Sequence, residues 1–396
     1  MPLTMKERQS VTNVMRDEYR KATKKRKGQM LDEFCKLTGY RRSYAAFKLR
    51  SQKTTRSYNK VKTVLQKPRG PKRKYGPECL KPLIKVWAVM DLACGKRMAA
   101  GMEDVLDALT RFNELDCTDD IIAKLRQMSA STIDRMLAVQ KKKLNLKGRS
   151  TTKPGTLLKQ DIAIRLGTEW PESMPGYVEM DTVSHCGEST KGQYVVTLDV
   201  VDIDTTWSEQ RACLNKAQKH VFGEVKEIRA RLPFKLLGID TDGGGEFIND
   251  EMYSYCKQEN ITFTRGRSYK KNDGCHIEQK NWSIVRQSVG YGRFETEREC
   301  ALLNMIYDYV RLTTNFFMPS QKMESKTRDG GRVIRKMDEP KTPYKRVLAS
   351  VHIDKKTKAL LTKTFSTINP AECRREITRL VEELHRLKDE REMDSV

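Results

Sequence analysis

Residues 238–247 read GIDTDGGGEF, with the apolar run PFKLL (233–237) before them and INDEMYSYCKQEN (248–260) after. The apolar run continued through Gly238-Ile239 predicts a buried strand over 234–241, and the residues that follow carry helical spacing. Two carboxylates, Asp240 and Asp242, therefore fall at the end of a buried strand, with three glycines and a third carboxylate, Glu246, directly behind them. Carboxylates so close repel one another, and the arrangement calls for a positive partner: a lysine, a helix N-terminus or a metal ion.

The neighbouring segments build a layer around that strand. GYVEMDTV (176–183) alternates between Pro/Gly punctuation, GQYVVTLDVVDI (192–203) reads as a buried strand and TTWSEQRAC (205–213) as a third, so the three form an antiparallel meander. KAQKHVFGEVKEIRARLP (216–233) is helical, ITFTRG (261–266) is a fifth strand, and HIEQKNWSIVRQSVG (276–290) is another helix. The expected fold is α/β, a mixed five-stranded sheet with helices. Residues 296–317 continue as a helix and 318–350 read as loop-rich and basic. Residues 369–390 form a strong helix with Asn369 as N-cap, Pro370 at its first position and an apolar stripe, Ile377, Leu380, Val381, Leu384 and Leu387. That stripe suits either a coiled-coil seam or packing on its own domain.

Three acids stand at element ends: Asp181 on the first strand, Asp242 past the fourth, and Glu278 on the helix after the fifth, with 35 residues between the last two. This D…D-x35-E pattern, together with DGGGEF (242–247) and NDGCHIEQKN (272–281), resembles the catalytic core of the retroviral-integrase superfamily. The flanks KAQKHVF, FTRGRSYKKND, VGYGRFET, NFFMPSQK and KTPYKRVL resemble one branch of bacterial insertion-sequence transposases. The resemblance spans roughly residues 150–350. It implies a ribonuclease-H-like core and a DNA transposase or integrase. Such an enzyme hydrolyses phosphodiesters at element ends and transfers the freed strands to target DNA. In two places the sequence departs from the family pattern: Gly243 stands where an Asn is usual, and Gly274-Cys275 where Asn-Ala is usual.

The chemistry of the acids agrees with that resemblance. In-line displacement at a phosphodiester is served by two metal ions about 4 Å apart, binding the attacking and leaving oxygens. Mg²⁺ (or Mn²⁺) takes hard oxygen ligands and keeps several waters, so Asp181, Asp242 and Glu278 suffice, with Asp181 as the bridging ligand. The glycines after Asp242 leave room for a close-approaching backbone. Asp240 is the rival to Asp242, two residues away on the same strand face. Glu246 reads as a capping or orienting residue, Asp199 and Asp202 as structural loop acids, and His185 as a structural histidine. Glu179 shares the face of Asp181. Lys271, Lys280 and Asn281, with Lys270 and Arg286, are placed to meet DNA.

Charge locates a second function. The net charge is +24, and residues 1–150 hold 36 Lys+Arg against 15 Asp+Glu, which leaves +3 for the rest. A front so basic fits a polyanion, and duplex DNA before others. Helical spacing over 27–50, broken at Thr38-Gly39-Tyr40, gives a helix-turn-helix pattern whose second helix presents Arg41, Arg42, Ser43, Tyr44 and Lys48. Residues 118–143 give a second candidate, with Ser131, Thr132 and Arg135 at the start of its later helix. Between the two lies QKPRGPKRKYG (66–76), a basic Pro/Gly linker whose Arg69, Lys72 and Arg73 suit a minor-groove arm.

The expected organisation is a helix-turn-helix domain over 1–65, a basic linker over 66–76 and a second helical domain over 77–143. A linker over 144–170, the catalytic core over 171–318 and a C-terminal region over 319–396 ending in a helix follow. Ten scattered cysteines without C-x-x-C spacing fit a reducing cytoplasm, nucleoid-associated in a bacterium, and argue against a zinc finger. The N-terminus does not read as a signal peptide, and no run approaches the ~20 apolar residues of a membrane span. Because two DNA ends must be handled together, a homo-oligomer is expected. The competing readings are a catalytically weak DNA-binding regulator and a ribonuclease-H-like nuclease.

Overall fold

A computed structural model describes residues 3–51, 74–144, 174–241, 244–265, 277, 280–329 and 332–394. The chain forms two compact units, residues 1–72 and 73–396.

In the first unit, α1 (Met5–Lys21), α2 (Lys24–Thr38) and α3 (Arg42–Arg50) enclose a small core of Tyr19, Met30, Leu31, Phe34, Ala45 and Leu49. The segment 6–27 is polar and basic in sequence. The structure makes most of it a helix, started by a capping box in which Thr4 and Glu7 satisfy each other's backbone N–H groups. α2 ends at Gly39, whose φ of +70° supplies the left-handed cap that a side chain would resist.

The second unit is built on a sheet of strand order β3-β2-β1-β4-β5. β1 (Tyr177–Ser184), β2 (Val196–Asp202) and β3 (Ser208–Cys213) form the antiparallel meander. β4 (Gly238–Thr241) pairs parallel with β1 and β5 (Thr262–Arg265) parallel with β4. α8 (Gln218–Arg231) joins β3 to β4, and α9 (Asp250–Gln258) joins β4 to β5. The period-2 alternation gives the sheet two unlike faces. Val178, Met180, Leu198, Val200 and Ile239 pack on Val221, Phe222, Val225 and Ile228 of α8 and Met252 of α9. The opposite face carries the polar residues of the site, and Val183 and Ala212 pack there with the later helices.

Those helices are the turn of π-helix Asn281–Arg286 with α10 (Gln287–Val289), α11 (Glu297–Phe317) and, from the far end of the chain, α14 (Pro370–Asp394). Asn369 caps α14 by accepting from Ala371 N (3.1 Å) and Glu372 N (3.3 Å). Its stripe Ile377, Leu380 and Leu384 is buried against α11, so it serves its own unit rather than a coiled-coil seam. α11 also closes the exposed edge of the sheet. Asn304 and Asn315, three helical turns apart, each bridge a β3 residue by donating to its carbonyl and accepting from its N–H: Asn304 at Ala212 (2.9 and 2.8 Å), Asn315 at Ser208 (2.8 and 2.9 Å). A bare edge strand invites pairing with another chain, and the two amides occupy it.

Composition divided 77–143, 171–318 and 319–396 from one another, but the structure joins them. α4 (Leu80–Val89), α5 (Gly95–Arg111), α6 (Asp119–Arg126) and α7 (Ala130–Lys143) share one core with Trp207, Phe316 and Phe317. α12 (Pro343–Ala349), α13 (Lys355–Thr367) and the start of α14 complete that core. Residues 318–350 are also more ordered than expected: β6 (Met323–Asp329) and β7 (Arg332–Met337) form a separate antiparallel hairpin ahead of α12. The expected linker over 144–170 falls almost wholly outside the described residues.

Candidate active site

The site is assembled on β1. Alternation sends Glu179, Asp181 and Val183 to the face away from α8. The strand register then sets Asp199 of β2 opposite Asp181 and Asp240 of β4 opposite Glu179. Four carboxylates thus share one face of three adjacent strands. Glu179, Asp199 and Asp240 are buried, and Asp181 is half-buried.

Each carboxylate is held by its surroundings. Asp181 accepts from the side-chain amide of Asn281 at 2.6 Å and from the backbone N–H of Thr182 at 2.7 Å. Asn281 opens the π-helical turn, a local widening often found where a helix must re-aim a functional side chain. Glu179 accepts from the Ile277 N–H at 3.0 Å, and Asp240 accepts from the Thr264 hydroxyl at 2.6 Å. Asp199 accepts from Gln210 Nε2 at 2.9 Å through one oxygen only. Burial pushes its carboxyl up to about 7, Gln210 and Lys280 oppose that rise, and Asp181 adds to it. Asp199 was read as a loop acid; it lies inside β2, opposite the first acid of the expected triad, because the register turns it inward.

Lys280 is half-buried. Burial and the cation of Arg97 lower it to about 8, while Asp199 works the other way. It lines a cleft between α4, α5, the π-turn and α14 rather than an open lysine surface. Arg286 donates to the Ser184 carbonyl at 2.7 Å and lies over the Tyr291 ring. Glu246 accepts from Thr182 Oγ1 at 2.8 Å and pairs with Lys216 at 3.2 Å, the orienting arrangement expected for it. Asp202 ties the β2–β3 turn, accepting from Gly176 N, Thr205 N and Thr205 Oγ1 at 2.6–2.8 Å. His185 is fully buried, bonded to Thr197 Oγ1 at 2.8 Å and lowered by burial to about 3, so it is neutral in the core.

Asp242, Glu278, Lys270 and Lys271 lie outside the described residues, as do Arg69, Lys72 and Arg73 of the basic linker. Among the described residues no group of three or more His, Cys, Asp or Glu side chains converges as a metal site. Buried polar atoms without a hydrogen-bond partner among the described residues include Asp199 Oδ2, Gln210 Oε1 and Asn281 Oδ1.

Of the residues expected on recognition helices, Arg41 is the N-cap of α3, and Arg42, Ser43 and Tyr44 are exposed on its first turn. Arg42 pairs with Asp32, and Lys48 lies over the Tyr44 ring at 5.6 Å. In the second candidate the N-cap is Ser129, earlier than expected, and it accepts from Thr132 N. Ser131 and Arg135 are exposed on the following turn of α7, where Arg135 donates to Thr132 Oγ1 at 3.2 Å. Among the described residues no helix is long and apolar enough to cross a membrane.

No known family profile matches the chain. Among solved structures, the catalytic core domain of BIV integrase is similar over 45% of this chain and 96% of its own, at 16% identity and a TM-score of 0.30. The HTLV-2 integrase catalytic core domain in complex with magnesium is similar over 38% of this chain and 93% of its own, at 16% identity and a TM-score of 0.29. Among curated sequences, the uncharacterized protein y4rM of Sinorhizobium fredii (strain NBRC 101917 / NGR234) is 33% identical over 344 residues, which are 87% of this chain and 96% of that protein. With that identity over nearly the whole of both proteins, the chain belongs to the family of y4rM.

Proposed function

We propose that the chain is a DNA strand-transfer enzyme, a transposase with an integrase-type, ribonuclease-H-like core, whose acids are Asp181, Asp242 and Glu278. One observation carries the reading: the described residues before Asp242 and on either side of Glu278 meet β1 next to Asp181. Thr241, which precedes Asp242, is registered with Met180. Ile277 and Asn281, which bracket Glu278, bond Glu179 and Asp181. The sheet order and the D…D-x35-E spacing support the same assignment.

The donor set suits a hard divalent cation. It consists of carboxylate and amide oxygens, His185 is turned into the core, and Asp199 Oδ2, Gln210 Oε1 and Asn281 Oδ1 lack partners among the described residues. Asp181, Asp242 and Glu278 would hold Mg²⁺ or Mn²⁺, two ions in this reading. The bound metal supplies positive charge for the phosphate and activation of the attacking oxygen. The chain's own work is positional. Asn281 and the Thr182 N–H fix the Asp181 carboxylate, and Lys216 and Thr182 fix Glu246 beside the strand ends. The N-terminal unit would hold the element ends, since residues 1–74 carry 23 Lys+Arg against five acids. Arg41, Arg42, Ser43, Tyr44 and Lys48 on one helix, and Ser131, Thr132 and Arg135 on another, are the proposed contacts, with double-stranded DNA as partner and a homo-oligomer as the working form.

The test is Asp181→Asn in the full chain, assayed with Mn²⁺ and DNA carrying the ends of its element. Cleavage and joining should be lost, while end binding keeps its affinity and salt dependence. Asp240→Asn should keep substantial activity. Strand transfer by Asp181→Asn at the parent rate would refute the proposal.

A further inference from the structure

The cleft that Lys280 enters has a volume of about 60 Å³. That is room for several waters, or for one tetrahedral oxyanion in their place. Val89, Ile284, Val310 and Ile377 give it an apolar lining. Three cations on three separate elements share it: Arg97 of α5, Lys280 at the head of the π-helical turn and Arg374 of α14. Among the described residues one carboxylate, Asp91, lines it with them.

The charges do not balance. Asp91 pairs with Arg374, whose Nε also donates to the Ala88 carbonyl at 3.2 Å, so that cation and that acid answer each other. Arg97 Nε donates to the Pro319 carbonyl at 2.5 Å, and its two Nη atoms have no partner among the described residues. The ammonium of Lys280 has no hydrogen bond or ion pair among the described residues either. Asp199 favours its charge from beyond ion-pair distance, while Arg97 and Arg346 oppose it. Arg346 is itself held by Asp338 at 2.8 Å. Two half-buried cations thus share a small space with no counter-charge in contact. Between apolar walls their repulsion is poorly screened, and so is the attraction each has for an anion placed between them.

We propose that this cleft is a phosphate-binding site in which Arg97 and Lys280 hold a tetrahedral oxyanion, with the Ser283 and Thr314 hydroxyls lining the same space. The free edge of the guanidinium suits two phosphate oxygens, and the ammonium, a point charge, suits a third. Free phosphate and the terminal phosphate of a DNA strand offer the same chemistry. The inference uses none of Asp181, Asp242 and Glu278 and does not require the chain to cut or join DNA.

The experiment follows thermal unfolding of the full chain in potassium phosphate, against potassium chloride at the same ionic strength and neutral pH. Above the dissociation constant, each further tenfold in phosphate should raise the midpoint by roughly 2 °C through mass action. Arg97→Gln and Lys280→Gln should each need about tenfold more phosphate for the same rise, the loss of one charge-assisted bond. The control Lys355→Gln/Lys356→Gln, at exposed positions of α13, should match the parent. An equal rise in chloride overturns the proposal, as does an unchanged phosphate requirement in both cleft variants or the same loss in the control. With the site established, the parent is compared on DNA duplexes with and without a 5′-phosphate. A preference for the phosphorylated duplex that Lys280→Gln abolishes makes the strand end the source, and no preference makes it the free ion. The site itself is read from stability without DNA, so failure here is distinct from failure of the Asp181→Asn assay.

Discussion

Replacing Asp199 by Asn should stabilise the metal-free protein at neutral and alkaline pH and lose that benefit in acid. The carboxyl is fully buried, with one oxygen bonded to Gln210 and the other without a partner, so burial favours its neutral form. It titrates at about 7 in the fold against an ordinary value of 3.8. Between those values the folded state binds more protons than the unfolded one, so stability is lost as pH rises. The full penalty is roughly 4 kcal/mol, of which about 2.6 kcal/mol falls between about pH 5 and pH 8. Asn keeps the acceptor for Gln210, adds an N–H beside the unpartnered Gln210 Oε1 and carries no charge. The assay is urea denaturation with chelator present, parent against variant, at the two pH values. The stability difference should move in favour of the variant by about 2–3 kcal/mol on going from pH 5 to pH 8. A difference equal at both values would show that Asp199 does not change protonation in this window and would refute the reasoning.

Two other substitutions test the packing. Leu384→Ala removes a fully buried side chain from the α11–α14 contact and should cost about 2–5 kcal/mol in urea denaturation. It should leave the oligomeric state on sedimentation unchanged, because the stripe is spent within the unit. Asn304→Ala removes both bonds to Ala212, should cost about 1–3 kcal/mol, and should raise light scattering at high protein concentration by freeing part of the β3 edge.

Much of the second unit was legible because its signals are local. Alternation in GYVEMDTV, the apolar run ahead of Asp240, and Asn369-Pro370 at a helix start each gave an element close to the one observed. α1 was missed because its few apolar residues sit among charges, and its capping box pairs side chains with backbone over one turn. The β6–β7 hairpin was missed because neither strand alternates apolar with polar residues: β6 sets cations among small polar residues, and β7 carries Val333 and Ile334 side by side. Asp199 was misplaced because the burial of both faces of β2 removes the alternation that would have marked its side. The division into domains was the least legible. Trp207, Phe316 and the helices of 80–143 meet across long separations that no window of sequence contains. Of the candidate site, Asp181 and the sharing of its face by Glu179 could be read from period 2, whereas the grip of Asn281 on Asp181 depends on a helix that widens by one residue.

The return of α14 has a consequence for how the protein is made. Arg374 pairs with Asp91, and Arg375 pairs with Glu114 at 2.8 Å, while Asn369 donates to Glu114 at 2.9 Å, so the last helix bonds the second unit's earliest ones. During synthesis at about 5–20 residues per second, the helices of 80–111 wait roughly 15–60 s for the partners near residue 374 to appear. Until then Leu83, Trp87 and Leu109 have an unfinished core around them, and contacts so distant along the chain close slowly. A nascent or prematurely stopped chain therefore presents a sticky helical surface. Full-length translation is in this way a condition for a finished second unit, and truncated products are marked for chaperones and proteases by their own unfilled core.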